Sequence, residues 1–160
     1  MKLKLPVLLV CSSFGLLAHA KSPQRLSSYS EIVNSLTEAH RVKVVMDLKH
    51  CVSIDSPDGK KTKPGPDVVG GMEISLFNKY FLTVDGKRKE TLATSTNTLI
   101  EHSEWGPVVN YIRIRFFKDQ SVEFTSSYYK PQDYTTLSQT HLKCAISSDT
   151  KESGIKVFQL

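Results

Sequence analysis

Two cysteines that lie far apart, Cys51 and Cys144, constrain the fold of this chain more than any other feature of its sequence. The third cysteine, Cys11, lies within the first 20 residues. Those residues are typical of a secretory signal peptide, with lysines near the start, an apolar run and the small-x-small cleavage signal Ala18-His19-Ala20. Once this leader is removed outside the cytosol, the two remaining cysteines are most simply one disulfide.

Alternatively, Cys51 and Cys144 could be ligands of a zinc ion. His50 precedes Cys51, and His141 lies three residues before Cys144, so two imidazoles and two thiolates are available. Residues that are adjacent or three apart on a strand point to opposite faces, so neither pair would converge without a turn or a helix. We therefore predict no metal and no other cofactor.

Residues 21–160 have the length of one ordinary domain. We predict a single domain with a flexible loop at about 53–71, where proline, glycine and charged residues concentrate. No later run approaches the roughly 20 apolar residues of a spanning helix, so we expect no stable membrane insertion. The formal net charge of +5 includes two leader lysines, and the remaining charge forms no basic block, so we predict no nucleic-acid partner.

A helix is predicted from the capping-box pair Ser28 and Glu31 to about His40. Its apolar residues recur at helical spacing: Tyr29, Ile32, Val33 and Leu36. This apolar side predicts that the helix packs on one face of a sheet.

Strands are predicted elsewhere. Residues 42–48 are rich in β-branched side chains, and residues 72–84 alternate between apolar and polar as one continuous strand would. Residues 91–100 are rich in threonine and have little to bury, which favours a strand near a sheet edge. Residues 141–146 and 155–158 are predicted to close the sheet.

The clearest strand pair is a hairpin over residues 108–129. Apolar residues alternate along both of its strands, which sets Phe116 opposite Phe124 and Ile112 opposite Tyr128. The segment Asp119-Gln120-Ser121, which lacks glycine, would then form the connection.

This register brings five side chains together on the opposite face of the hairpin: Tyr111, Arg113, Arg115, Phe117 and Tyr129. Arginines among aromatic side chains can bind a carboxylate, a phosphate or a partner protein. The same pattern is also typical of a solvated or helix-covered sheet face. These five residues are the candidate partner-binding patch.

Together these elements predict an α+β fold. It consists of an antiparallel sheet of about six or seven strands, with the N-terminal helix on one face and a short helix at 131–137 before the last strands. A partly closed β-barrel with peripheral helices is the alternative.

The sequence contains no nucleophile with its base, no tight carboxylate pair and no glycine-rich phosphate loop. His50 near Asp47 or Asp55 is only a generic acid and base beside a loop. We therefore name no catalytic residues and predict a protein that is not an enzyme. An enzyme would need His50 or His141 to converge with a carboxylate in a cleft.

The order of several segments resembles the VirK protein family. The resemblance is carried by residues 29–32, residues 42–48 with Cys51, the strand start at 70–74, and the run from Ile114 to Cys144. It implies a small exported bacterial protein that is associated with virulence or host interaction and has no established biochemical activity. Only Cys51 and Cys144 map as a matched pair, and no catalytic residues are implied.

Two functions are therefore considered. The first is a periplasmic or secreted, non-enzymatic interaction protein of the VirK type, which contributes to virulence and binds an unidentified protein of the host or periplasm through an exposed aromatic and arginine patch. The second is a periplasmic carrier of a small ligand, which would require an apolar cavity with few polar groups inside a curved sheet.

Overall fold

Strands make up most of the residues that the structure describes. The computed structural model describes residues 22–54, 63–84, 86–148 and 150–160, so the predicted signal peptide and residues 55–62 of the predicted flexible loop lie outside the described residues. The elements in chain order are β1 (Gln24–Leu26), α1 (Tyr29–Thr37), β2 (Val42–Asp47), a 3₁₀ turn (Leu48–His50), β3 (Val52–Ser53), β4 (Val69–Glu73), β5 (Asn78–Val84), β6 (Lys87–His102), β7 (Gly106–Phe117), β8 (Ser121–Tyr129), β9 (Thr136–Ala145) and β10 (Ile155–Gln159).

The strands form two antiparallel sheets, whereas the sequence predicted one. The small sheet has the order β1-β10-β2-β4, the large sheet has the order β3-β9-β8-β7-β6-β5, and neither closes into a barrel within the described ranges. The prediction of a single strand over 72–84 was wrong because the chain leaves the small sheet after Glu73 and enters the large sheet at Asn78. Between them Leu76 is 76% exposed, although the alternation predicted it to be buried.

The core lies where side chains of both sheets meet those of α1. Val44 and Val157 of the small sheet belong to the same buried cluster as Ile114 and Phe116 of the large sheet. The helix adds its predicted apolar side to this cluster: Tyr29, Ile32, Val33 and Leu36. The docking of the helix on one sheet face stays a prediction.

The start of α1 has the predicted cap. The Ser28 hydroxyl accepts a hydrogen bond from Glu31 N at 3.2 Å, while the Glu31 carboxylate accepts from Ser27 N. Tyr29 N donates to the Gln120 side-chain oxygen at 2.9 Å, which ties the helix to the large sheet. Burial raises the pKa of the Tyr29 hydroxyl to about 12, and the charge of Glu90 adds to the shift.

The β7–β8 hairpin has the predicted faces in a different register. Phe116 pairs with Val122, and Ile114 pairs with Phe124, a slip of two residues that keeps every side chain on its predicted face. The slip is set by a turn in which Gln120 adopts a left-handed conformation with φ of 67°.

The predicted helix at 131–137 is absent from the structure, which has a tight turn there. Tyr134 has a left-handed φ of 57°, and the Asp133 carboxylate accepts a hydrogen bond from Thr135 N at 2.9 Å. This Asx-type turn directs the β-branched Thr136 into β9, so the chain continues as a strand.

The disulfide lies where the chain passes between the sheets. Cys51 follows the 3₁₀ turn after β2, Cys144 belongs to β9, and their Cα atoms are 4.5 Å apart. Gly65 N donates to the Cys51 carbonyl at 2.9 Å, so residues 63–71 of the predicted loop are partly held against this crossover. The last crossover, between β9 and β10, meets the first where Asp47 N donates to the Gly154 carbonyl at 2.8 Å.

We predict that Gly154→Ala destabilises the protein by about 2–3 kcal/mol, a typical cost of overpacking. A methyl group at this position would overlap the Cys51 sulfur and come within 3.1 Å of the Asp47 carbonyl oxygen. The matched control is Gly70→Ala, whose methyl group would contact only the end of the Met46 side chain at 3.6 Å. Denaturant unfolding of both variants measures the difference, and equal stabilities would contradict the close packing at this crossover.

Candidate functional site

The five residues of the predicted patch lie on the face of the large sheet opposite its core, which we call the outer face. Four of them are the odd-numbered residues at 111–117 of β7, and Tyr129 lies on β8 opposite Val109. Even-numbered Ile114 and Phe116 point into the core and are fully buried, so the odd-numbered side chains point away from it. The structure therefore brings the five residues to one face.

Arg115 is held by a neighbouring carboxylate. Its guanidinium lies 3.3 Å from the Glu123 carboxylate, and the two side chains are 24% and 22% exposed. An ion pair that is largely shielded from water contributes to packing of the sheet, and removal of either partner would leave a half-buried charge. Arg115 is therefore a poor candidate for contact with a partner.

Arg113 has no such counter-charge among the residues that the structure describes. Its guanidinium donates to the Thr125 hydroxyl at 3.4 Å, and that oxygen lies 3.3 Å from Nδ1 of His141. Among the described residues no carboxylate lies within ion-pair distance of Arg113. Its half-exposed cation lies beside the half-exposed ring of Tyr111, two residues away on the same face.

Phe117 differs from the sequence interpretation because it is only 1% exposed. Lys89 of the adjacent strand covers it, with the ammonium 5.2 Å from the ring centroid and 2.8 Å from the Asp119 carboxylate. Burial alone would raise the pKa of Asp119, but hydrogen bonds from Lys89 and Ser121 outweigh it and lower that pKa to about 2. The accessible part of the patch is Tyr111, Arg113 and Tyr129.

A cavity of about 330 Å³ lies between the two sheets. The small sheet and the segments beside it supply Met46, Leu48, Pro66, Val68 and Gly70, and the large sheet supplies Asn110, Ile112, Phe124, Ser126, Tyr128 and Thr140. None of these described lining residues is charged. The Ser126 hydroxyl donates to the Asn110 side-chain oxygen at 3.2 Å, so the polar lining is partly paired within the wall.

Tyr128 connects this cavity to an aromatic cluster at the β6–β7 turn. The rings of His102 and Trp105 stack with centroids 4.3 Å apart, and Tyr128 lies 5.2 Å from the first and 5.8 Å from the second. The sequence predicted Tyr128 on the core face of the hairpin, opposite Ile112. The separation of the two sheets, which places Tyr128 at a cavity wall, had no signal in the sequence.

The generic acid and base noted in the sequence are close in space. His50 Nε2 lies 3.6 Å from the Asp47 carboxylate, which also lies 3.6 Å from the Lys49 ammonium. The alternative zinc site is contradicted because both sulfurs are joined in the disulfide. Within the ranges that the structure describes, no group of three or more His, Cys, Asp or Glu side chains could hold a metal ion.

None of the described helices has the length and apolarity needed to cross a membrane.

The fold and these sites define a class: a disulfide-linked protein of two antiparallel sheets with an apolar cavity between them. A family model described as "VirK protein" matches residues 25–134, and the chain belongs to the VirK family. This confirms the family resemblance found in the sequence.

A solved structure is similar to this fold. It is the crystal structure of lpg1832, a VirK family protein from Legionella pneumophila, with a TM-score of 0.60 and 16% sequence identity. The match covers 84% of this chain and 98% of that chain. No curated protein matches the sequence significantly.

Proposed function

We propose that this chain is an exported, non-enzymatic interaction protein that contributes to virulence and acts in the periplasm or after secretion. Membership of the VirK family supports the general assignment. The Cys51–Cys144 disulfide supports export, because such bonds persist in oxidising compartments outside the cytosol. In this proposal residues 1–20 are a cleaved leader and residues 21–160 are the single mature domain.

The observation that carries the proposal is the state of Arg113. It is a half-exposed cation without a carboxylate partner in the described structure, and it shares the outer face with Tyr111 and Tyr129. Arginine and tyrosine are enriched among the residues that dominate the energetics of protein interfaces. The partner that this surface fits is a protein that presents a carboxylate beside an apolar group.

We predict that a photo-crosslinking aromatic residue placed at Tyr111 forms an adduct with a discrete partner in bacteria or infected host cells. Adding Arg113→Ala should lower the yield about tenfold, because a hydrogen bond to a charged group contributes about 1.5–3 kcal/mol and 1.4 kcal/mol is tenfold in affinity.

The matched control places the same crosslinker at Phe81, which is 57% exposed on β5 and lies outside the patch. Equal adducts at both positions, or adducts at Tyr111 that survive Arg113→Ala, would argue against the patch.

A carrier of a small ligand is the second candidate, and the inter-sheet cavity favours it. A cavity of about 330 Å³ falls at the lower end of the roughly 300–1,000 Å³ typical of ligand pockets. The described lining residues are mostly apolar and none of them is charged, so the ligand that they fit is a small neutral apolar molecule.

We predict saturable binding of the neutral apolar dye N-phenyl-1-naphthylamine, with energy transfer from Trp105, the only tryptophan in the chain. Gly70→Val should weaken binding about tenfold, since each CH₂ displaced from the cavity is worth about 0.8 kcal/mol. Gly70 pairs with Met46, so its new side chain would point to the same face and enter the cavity.

The control Ser75→Val adds the same side chain at an exposed position and should bind the dye as the wild type does. Undiminished binding by Gly70→Val would place the dye elsewhere and count against the carrier.

A further inference from the structure

In the part of the chain that the structure describes, one side of β6 has no partner strand over half its length. The strand runs from Lys87 to His102, and β7 pairs with it from Thr91 to the end. On the other side β5 pairs only as far as Ala93. Within the described chain no strand pairs with that side of β6 beyond Ala93.

The backbone hydrogen bonds between β6 and β7 show which residues of β6 direct their N–H and C=O groups toward β7 and which direct them toward the open edge. Lys118 N donates to the Glu90 carbonyl at 3.2 Å, so even-numbered residues of β6 bond to β7. The odd-numbered residues beyond Ala93 therefore direct their N–H and C=O groups away from the sheet. They are Ser95, Asn97, Leu99 and Glu101, all of them exposed.

Between Thr94 and Ile100 this edge lacks the features by which proteins usually block strand addition. Residues 94–100 contain no proline and no charged side chain, and the β6–β7 pairing continues through them without a bulge. Threonine and aliphatic residues, which favour strands, make up most of the segment.

Two exposed leucines lie at the open edge, one on it and one at its start. Leu99 lies on the edge itself and is 65% exposed. Leu76 lies at its start, because the Thr94 hydroxyl donates to the Leu76 carbonyl at 2.8 Å. A strand added here would satisfy the outward backbone groups and cover apolar surface at the same time.

We propose that β6 pairs in antiparallel fashion with β6 of a second copy of this chain, about a two-fold axis at Leu99. In this register Leu99 faces its own symmetry mate, and Asn97 faces Glu101 on each side of the axis. All three residues direct their backbone groups outward, so each facing pair exchanges two backbone hydrogen bonds.

The side chains of this edge are self-complementary in that register. The Asn97 amide can donate to the Glu101 carboxylate, since directly opposed side chains lie about 4.5–5.5 Å apart at Cβ. No two like charges face each other, and the leucine pair lies at the centre. The large sheets of the two copies would become one continuous sheet.

The test is the oligomeric state of the full mature chain, measured by light scattering after size exclusion over a range of concentrations. The wild type should form a concentration-dependent dimer. Leu99→Asp and Leu99→Lys should each raise the dimer dissociation constant at least about tenfold, because like charges would face across the axis. An equimolar mixture of the two variants should regain the dimer.

Phe81→Asp is the matched control, because it introduces the same charge at a comparably exposed apolar residue on β5. It should dimerise as the wild type does, and unchanged thermal unfolding of all variants shows that they are folded. A wild type that stays monomeric, dimers that survive Leu99→Asp, a mixture that stays monomeric, or a monomeric Phe81→Asp would each overturn the proposal. The inference does not depend on the proposed function.

Discussion

The Cys51–Cys144 bond is the interaction on which the two-sheet arrangement depends. It lies at the point where the chain first passes from the small sheet to the large one, and Gly154 of the return crossover packs directly against it. Because the bond closes a loop with a sequence separation of 93, the chain-entropy model gives a stabilisation of about 4.5 kcal/mol. The bond thereby ties the first crossover, between β2 and β3, to β9 of the large sheet.

The two candidate sites follow from this arrangement. The two sheets share a core but do not pack together everywhere. The gap between them is the mostly apolar cavity beside Met46 and Phe124. The other face of the large sheet carries Arg113, whose charge lacks a carboxylate within the described residues. Function in this protein is therefore expected at surfaces and at the gap between the sheets.

The sequence predicted much of the local structure, but it did not predict the register of the strands or the sheet to which each strand belongs. Alternation predicted the faces of β7 and β8, and a slip of two residues left those faces intact because side chains repeat with period two. The slip itself depends on the left-handed Gln120, a conformation that its residue type does not favour. Alternation also cannot say which sheet a strand joins, which is why the change of sheet between Glu73 and Asn78 was missed.

The accessibility of the patch was a further property that the sequence could not give. Phe117 is buried by Lys89, which reaches it from a neighbouring strand, and Arg115 is paired with Glu123 across the hairpin. Both contacts depend on the register of strands in space. The cysteine pair was easier to predict, because only two cysteines lie outside the predicted leader.

The most direct test of the account is denaturant unfolding of the unmutated mature protein, oxidised and reduced, under otherwise identical conditions. If the disulfide fixes the first crossover against β9, reduction should lower the free energy of unfolding by about 4 kcal/mol and shift the midpoint to lower denaturant. Identical unfolding curves for the two forms would contradict the central role assigned to this bond.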